Sequence, residues 1–503
     1  MVRQSSLVVV ANRLPLDDNA APDGACEWRR SPGGLTSALH AILEQTPATW
    51  VGWAGGLGPA PALPDIGSLR IRPVALSEAE LRGYYEGFAN STLWPLYHDA
   101  VEPPVFHRDW WETYQAVNHR FAQATAEVAE RGAAVWVQDY HLSLVPRYLR
   151  ELRPDLLIGF FLHVPFPPPE LFMQLPRRVE LLHGMLGADL VGFQRPQAAH
   201  NVAQLAVKLL AAQSTDDQIT LADGRVVRTG AFPVSIDVAE MQSLARRPSV
   251  VTRARQLRHD LGEPRRVLLS VDRLDYTKGI EHRLTAYSEL LRDGRIKVRD
   301  TVMVQVAVPS RERVDSYRAL RDRIEGEVGR INGEHGRVGE AAIHYLNQPF
   351  DRAELAALYR TADVMVVTPL RDGMNLVAKE FVAAREDGAG ALVLSEFAGS
   401  ADELQQAFLV NPHDVDGLKD TLLRAMRAEP PDLRARMGAM REHLRGHDII
   451  AWARAYLTAL DDSGRLAEQL PAVGEPKARG GAAAKARAIT PRPRSVARRR
   501  PPA

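Results

Sequence analysis

The stretch Thr368-Pro369-Leu370-Arg371-Asp372-Gly373-Met374-Asn375-Leu376-Val377-Ala378-Lys379-Glu380 follows the apolar run Asp363-Val364-Met365-Val366-Val367 and leads into helix-forming residues. It reads as a strand, a loop and a helix start. Such a loop gathers free backbone N–H groups and the positive end of a helix at one point, where a phosphate or diphosphate binds without a cation. Asp372 and Glu380 flank that point with carboxylates. Carboxylates are poor company for phosphate but accept hydrogen bonds from hydroxyls, so the expected ligand joins phosphate to sugar, as a sugar nucleotide does.

The same strand-helix rhythm runs outward in both directions. In the second half, Arg266–Leu274, Thr301–Val308, Ile343–Asn347, Val364–Thr368, Leu392–Ser395 and Phe408–Asn411 are predicted strands. In the first half they are Leu7–Arg13, Ala134–Asp139, Leu157–His163 and Asp189–Phe193, with a helix over Thr36–Gln45 opened by Gly33-Gly34. Continuous apolar strands alternating with amphipathic segments predict an α/β chain with parallel sheets covered on both faces. The polar stretch Ala231–Ser249 reads as irregular and is the predicted boundary. It gives a first Rossmann-like domain over 1–235, a second over 236–447, a helix over 448–465 that packs back across them, and a basic tail over 466–503. The two sheets are expected to face each other across a cleft, since open α/β sheets bind ligands at strand carboxyl ends.

Bulk properties narrow the class. A chain of 503 residues, 45% hydrophobic and 25% charged, predicts two or three soluble domains. No apolar run is long enough to span a membrane, and Met1–Ser6 leads directly into a strand, so a cytoplasmic location without membrane partners is expected. The single cysteine, Cys26, excludes an internal disulfide framework. Residues 477–503 hold nine Lys or Arg and no acid, so the rest carries −8 against a whole-chain net of +1. That tail is too poor in apolar residues to fold, and no specific nucleic-acid partner is expected.

Every polar motif with chemical promise follows a predicted strand. Arg273 and Lys278 end the first strand of the second half, where two cations suit a departing diphosphate; the plain alternative is surface pairing with Asp272 and Asp275. Arg13, at the end of the first strand, and Arg311, at the end of the Val302–Val308 strand, are candidate fork donors for a second phosphate. Tyr84-Tyr85 and Trp94-Pro95 supply amphipathic rings of the kind that stack on sugars, with ordinary core as the plain alternative by residue type. Asp139 and His163 close two further strands and suit sugar hydroxyls. Gly33-Gly34 lets a ligand approach the backbone, but no Gly-x-Gly-x-x-Gly follows the first strand, which disfavours a dinucleotide. Asp414-Val415-Asp416 matches a metal motif by letter, yet helix capping explains it more simply, and no cofactor or metal is expected.

Together these motifs resemble the trehalose-6-phosphate synthase family, retaining glycosyltransferases of the two-Rossmann GT-B fold. The resemblance spans roughly Leu7–Leu460 and rests on Asn12-Arg13, Ser31–Leu35, Trp50–Trp53, Tyr84-Tyr85, Leu93–Pro95, Asp139–Leu142, His163–Pro167, Arg273–Gly279, Gly329–Gly333 and the opening run. It implies glucose transfer from a nucleotide-glucose, UDP-glucose first with ADP- or GDP-glucose as alternatives, to glucose 6-phosphate. By that resemblance Arg13, Tyr85, Trp94 and Arg311 hold the acceptor phosphate and Asp139 an acceptor hydroxyl. Gly33 and Gly34 lie near the diphosphate, and His163 and Asp372 bind the glucosyl group. Arg273 and Lys278 take the donor phosphates, backbone groups of Met374, Asn375, Leu376 and Val377 assist, and Glu380 meets the ribose. It further implies Arg273, Lys278, Asp372 and Asp139 as the catalytic set, with no protein nucleophile and the leaving phosphate helping to deprotonate the acceptor on the same face. A homo-oligomer, dimer or tetramer, is expected. Two departures from the family pattern are the long loop Pro15–Pro32 and Gln138 in place of a His; a transferase with another phosphorylated acceptor and a non-catalytic sugar-phosphate sensor are the competing readings.

Overall fold

The computed structural model describes residues 5–20, 26–30, 39, 43, 47–58 and 63–461. Gly33, Gly34, most of the Thr36–Gln45 helix and the basic tail lie outside the described residues.

Strand β1 (Ser5–Arg13) is apolar on both faces, so it takes the centre of a sheet rather than an edge. A separate antiparallel hairpin follows, β2 (Leu16–Ala20) with β3 (Cys26–Arg30). β1 is flanked in parallel by β4 (Ala48–Trp53), which carries β5 (Leu69–Val74) outside it, and by β6 (Ala129–Gln138), then β7 (Leu157–Phe161) and β8 (Leu190–Phe193). Two short strands, β9 (Gln213–Ser214) and β10 (Gln218–Thr220), make an antiparallel edge on β11 (Val226–Ala231), which joins β8 in parallel. The order is β5-β4-β1-β6-β7-β8-β11-β10-β9.

The second sheet consists of β12 (Arg266–Arg273), β13 (Thr301–Val308), β14 (Ile343–Leu346), β15 (Val364–Val367), β16 (Ala391–Ser395) and β17 (Phe408–Val410). All pairs are parallel, in the order β14-β13-β12-β15-β16-β17. In both sheets the first strand lies between the second and the fourth, the doubly wound arrangement whose order reverses beside that strand. The reversal falls between β1 and β6 in one sheet and between β12 and β15 in the other.

The structure departs from expectation in the connections. β4 and β5 were not singled out as strands, and the Ala231–Ser249 stretch is not irregular throughout. It holds a helix over Val238–Ala245, whose first turn Asp237 caps by accepting from Glu240 N at 2.8 Å, and the start of a helix over Pro248–Asp260. The last helix, Ile449–Leu460, returns to the first sheet. Its Tyr456 hydroxyl donates to Phe160 O at 3.1 Å and its ring lies over β7 and β8, where a Cβ on Gly159 or Gly192 would come within 2.6 Å of that ring system. Glycine is required there because another side chain occupies its space.

Candidate active site

The carboxyl ends of the two switch-point strand pairs carry Arg13, Gln138 and Asp139 on one side of the cleft and Arg273 and Thr368 on the other. Of the seven non-glycine residues with positive φ among the described residues, three are candidate site residues: Asp139 at 72°, Arg311 at 51° and Asn375 at 80°. Such conformations persist where the surroundings hold them, and they cluster at ligand sites.

The opening loop forms as its sequence predicts. Asn375 tolerates the left-handed region, and its side chain caps helix Leu376–Ala384 by accepting from Ala378 N at 3.1 Å. The first-turn N–H groups of Leu376 and Val377 have no carbonyl one turn earlier to receive them, which leaves an anion-binding edge. Lys278 Nζ reaches Asp372 Oδ2 at 2.5 Å, and Asn375 Nδ2 donates to the same oxygen at 3.1 Å. Burial opposes ionisation of Asp372, but the Lys278 ammonium outweighs it and holds the carboxyl below its usual value. A Cβ on Gly373 would lie 2.2 Å from His163 O, so this loop presses against the end of β7 from the opposite sheet. Met374 is buried, and its carbonyl accepts from Ser400 N at 2.8 Å. Glu380 stands one turn into the helix, accepting from the Tyr359 hydroxyl at 2.8 Å, and burial raises its pKa.

A second cluster forms around Arg311, which leaves the second sheet and enters the first domain. Its guanidinium lies 3.8 Å from the centre of the Trp94 ring, and Arg273 approaches the same ring at 5.2 Å. Arg311 donates to the Tyr140 hydroxyl at 3.1 Å and to the Tyr317 hydroxyl, and its Nη1 stands 3.5 Å from Asp275. Tyr85 stacks on His141 at 5.7 Å and meets Trp53 edge-on, while Arg13 lies 4.8 Å from the Trp53 ring. Trp94 is only 4% exposed. Its ring is therefore not open for stacking on a sugar and fits the plain core alternative, as does Tyr84, which is buried with its hydroxyl on Asn12. The alternative pairing of Arg273 and Lys278 with Asp272 and Asp275 does not occur either. Asp272 binds Arg283 at 2.7 Å, Asp275 faces Arg311, and Arg273 is exposed with no hydrogen bond to the described residues.

Between the clusters, Asp139 Oδ1 accepts from His163 N at 3.2 Å. Burial pushes the Asp139 carboxyl up to about 6, and the Tyr140 and His163 N–H groups with the Arg273 and Arg311 charges only partly offset it. His163 is driven by burial down to about 3, so it is neutral; Nε2 lies 2.8 Å from Gln138 Oε1 and must be the protonated nitrogen, because that oxygen only accepts. A cavity of about 230 Å³ adjoins the loop, lined by Arg371, Asp372 and Gly373 from the second sheet and by Val164, Gln194 and Arg195 from the first. Among the described residues no group of acids, histidines or cysteines is placed to hold a metal, and Asp414 caps helix Val415–Arg427 by accepting from Gly417 N at 2.9 Å. No helix among the described residues is long and apolar enough to cross a membrane.

Sequence reasoning missed Asp275, Tyr140, Tyr317 and Asn90. The first two stand inside quoted motifs, but their neighbours took the chemistry. Asn90 lies within the helix Leu81–Leu93 and Tyr317 in the first turn of the helix Asp315–His335, where nothing in the local pattern marks them.

Two doubly wound parallel sheets meeting at their switch points, with cations from one facing an acid and rings from the other, define a glycosyltransferase of the GT-B type. The model of glycosyltransferase family 20 matches residues 5–462, and the chain belongs to that family. It is 55% identical over 474 residues to the trehalose-6-phosphate synthase of Mycolicibacterium paratuberculosis, covering 92% of this chain and 96% of that one. The corresponding Mycolicibacterium smegmatis protein is 53% identical over 484 residues, with 93% and 96% covered. Among solved structures, the UDP-forming α,α-trehalose-phosphate synthase of Burkholderia xenovorans in complex with glucose 6-phosphate superposes with a TM-score of 0.83 at 33% identity, covering 90% and 99% of the two chains. The Escherichia coli protein bound with UDP-2-fluoro glucose gives 0.82 at 35% identity, covering 90% and 98%.

Proposed function

We propose that this glycosyltransferase moves glucose from a nucleotide-glucose to O1 of glucose 6-phosphate, with retention of configuration, giving α,α-trehalose 6-phosphate and a nucleoside diphosphate. The observation that carries the reading is the convergence of two guanidinium groups, Arg273 and Arg311, on the single indole of Trp94 beside Asp139. On this reading the two cationic groups serve two phosphates around one carboxylate, as a sugar-phosphate acceptor meeting a diphosphate donor demands. On this reading Lys278 and Arg273 neutralise charge as the diphosphate departs, with the Leu376 and Val377 N–H groups at the helix start. Asp372 and neutral His163 orient the glucosyl hydroxyls, Glu380 meets the ribose, and Met374 and Asn375 support the loop. Arg13, Tyr85, Trp94 and Arg311 surround the acceptor phosphate, while Asp139 accepts from an acceptor hydroxyl. The departing phosphate takes the attacking hydroxyl's proton on the face it leaves, so catalysis rests on positioning and charge rather than on a carboxylate pair. UDP-glucose is the proposed donor, with cytoplasmic residence and assembly into a dimer or tetramer part of the same reading.

The test is a panel of UDP-, ADP- and GDP-glucose with glucose 6-phosphate, following nucleotide release and determining the anomeric configuration of the product. Release of UDP with an α,α-linked disaccharide phosphate is expected. Nucleotide release without a disaccharide, or transfer only to another acceptor, overturns the reading.

A further inference from the structure

The Arg311 guanidinium is held from both sides of the cleft by one continuous line of hydrogen bonds. Arginine donates only, so the direction of every proton is fixed. On the first-sheet side the Tyr140 hydroxyl accepts from Arg311 Nη2 at 3.1 Å and donates to Asn90 Oδ1 at 2.8 Å. On the second-sheet side the Tyr317 hydroxyl accepts from Arg311 Nη1 and donates to Asp275 Oδ2 at 3.1 Å. Asp275 is itself fixed, its other oxygen accepting from Thr277 N at 3.0 Å and Thr277 Oγ1 at 2.9 Å. The Arg311 and Asp275 side chains are 4% and 0% exposed, and Tyr140, Tyr317 and Asn90 are no more than 1% exposed.

The line occupies Nη1 and one proton of Nη2. It leaves Nε, which is buried without a partner, and the second Nη2 proton. Nε and Nη2 form the edge of a guanidinium that grips two oxygens of one phosphate or carboxylate, and Tyr140 accepts from only one of the two Nη2 protons. The Trp94 indole N–H, also buried and unpaired, belongs to the ring against which Arg311 lies.

We propose that Tyr317 with Asp275, and Tyr140 with Asn90, are positioning residues that turn the Nε–Nη2 fork of Arg311 toward the acceptor's phosphate and so set the preference for a phosphorylated acceptor. The inference deepens the functional reading above and rests on it. A hydroxyl lost from a charged hydrogen bond changes affinity by about tenfold. Tyr317→Phe is therefore expected to lower the ratio of kcat/KM for glucose 6-phosphate to that for glucose about tenfold, with the loss in KM. UDP affinity by calorimetry stays within twofold, because Tyr317 makes no contact with the helix-start loop.

An unchanged ratio in Tyr317→Phe overturns the proposal. So does a parallel loss of UDP affinity and melting temperature, which marks a merely structural role. Tyr140→Phe reaches Arg311 from the other sheet and is the second variant; it must move the same ratio in the same direction. If the wild-type chain transfers nothing to glucose 6-phosphate, the functional reading falls, and the line of hydrogen bonds is judged on inorganic phosphate binding. Weakening by about tenfold in Tyr317→Phe then sustains the positioning role, and equal affinity overturns it.

Discussion

Asp139 and Lys278 are ionisable groups in different settings: burial raises the pKa of the Asp139 carboxyl, whereas Lys278 lies directly against the Asp372 carboxylate. Asp139 has a folded pKa of about 6 against an ordinary 3.8, so the folded chain binds more protons than the unfolded chain between those values. Stability from this group is greatest below pH 4 and is lost as pH rises toward 6. Asp139→Asn removes that slope, so thermal melts at pH 4.5 and pH 7 are expected to differ less in the variant than in the wild type. Function runs the other way, because the ionised carboxylate is the form that accepts a hydroxyl. We expect kcat/KM for glucose 6-phosphate to fall below about pH 6 in the wild type, with only the substrate's own phosphate titration, near 6, remaining in Asp139→Asn. Lys278 is the counter-charge of Asp372, whose side chain is 13% exposed, whereas the Arg273 guanidinium is exposed. Each alanine variant is expected to lose turnover by about three orders of magnitude. Only Lys278→Ala is also expected to lower the melting temperature, since it strands a largely buried carboxylate. Equal melting temperatures for the two would refute the distinction.

The strand-loop-helix at 364–384 is legible in sequence because its signals are local. A four-residue apolar run, an Asn that tolerates positive φ and a helix that the same Asn caps all lie between Val364 and Ala384. The strands at β12, β13 and β15 are legible for the same reason. β5 is not, because as an edge strand it alternates Arg with apolar residues and contains Pro73, which weakens every strand signal. The candidate site divides along the same line. Strand-end placement marks Arg273, Asp139 and Asp372, but the Tyr140–Arg311 contact joins residues 171 apart in sequence and exists only once two sheets have been brought together. Element packing supplies two further tests. Gly373→Ala places a methyl within 2.2 Å of His163 O, so it must part the loop from β7; turnover is expected to drop about 100-fold, and a fully active variant would show that the approach is soft. Trp452, on the returning helix, is 4% exposed, stacks near Trp136 and Phe161, and donates to Phe232 O at 3.1 Å. Trp452→Ala is expected to cost about 3–5 kcal/mol in denaturant unfolding.

At the scale of the whole molecule, the contacts that cross between the two sheets fall into two physical kinds. One kind is buried. Lys379 Nζ, with a fully buried side chain, binds Val234 O at 2.8 Å and Glu403 at 2.5 Å, and so ties the inter-sheet connection to the helix that starts at the candidate site. The other kind is partly exposed, each pair with at least one side chain 40% or more open to solvent: Arg195 to Asp402 at 2.7 Å, Arg313 to Glu86 at 3.0 Å and Arg371 to Asp99 at 3.2 Å. Exposed pairs contribute about 0.2–1 kcal/mol each and are screened as the Debye length shrinks from about 10 Å at 0.1 M salt to about 3 Å at 1 M. That is too little to decide whether the chain folds. Where two domains interconvert between closed and open arrangements it is enough to change that balance severalfold, because such balances are set by differences of the same size. Salt is therefore expected to raise KM for both substrates while leaving the melting temperature nearly unchanged. The specific form of the claim is a charge swap. Asp402→Arg sets two cations against each other and is expected to enlarge the radius of gyration in small-angle scattering and raise both KM values about threefold. Adding Arg195→Asp restores an opposite-charge pair and is expected to reverse both changes. A double variant no better than the single one would mean that Arg195 and Asp402 do not hold the cleft closed.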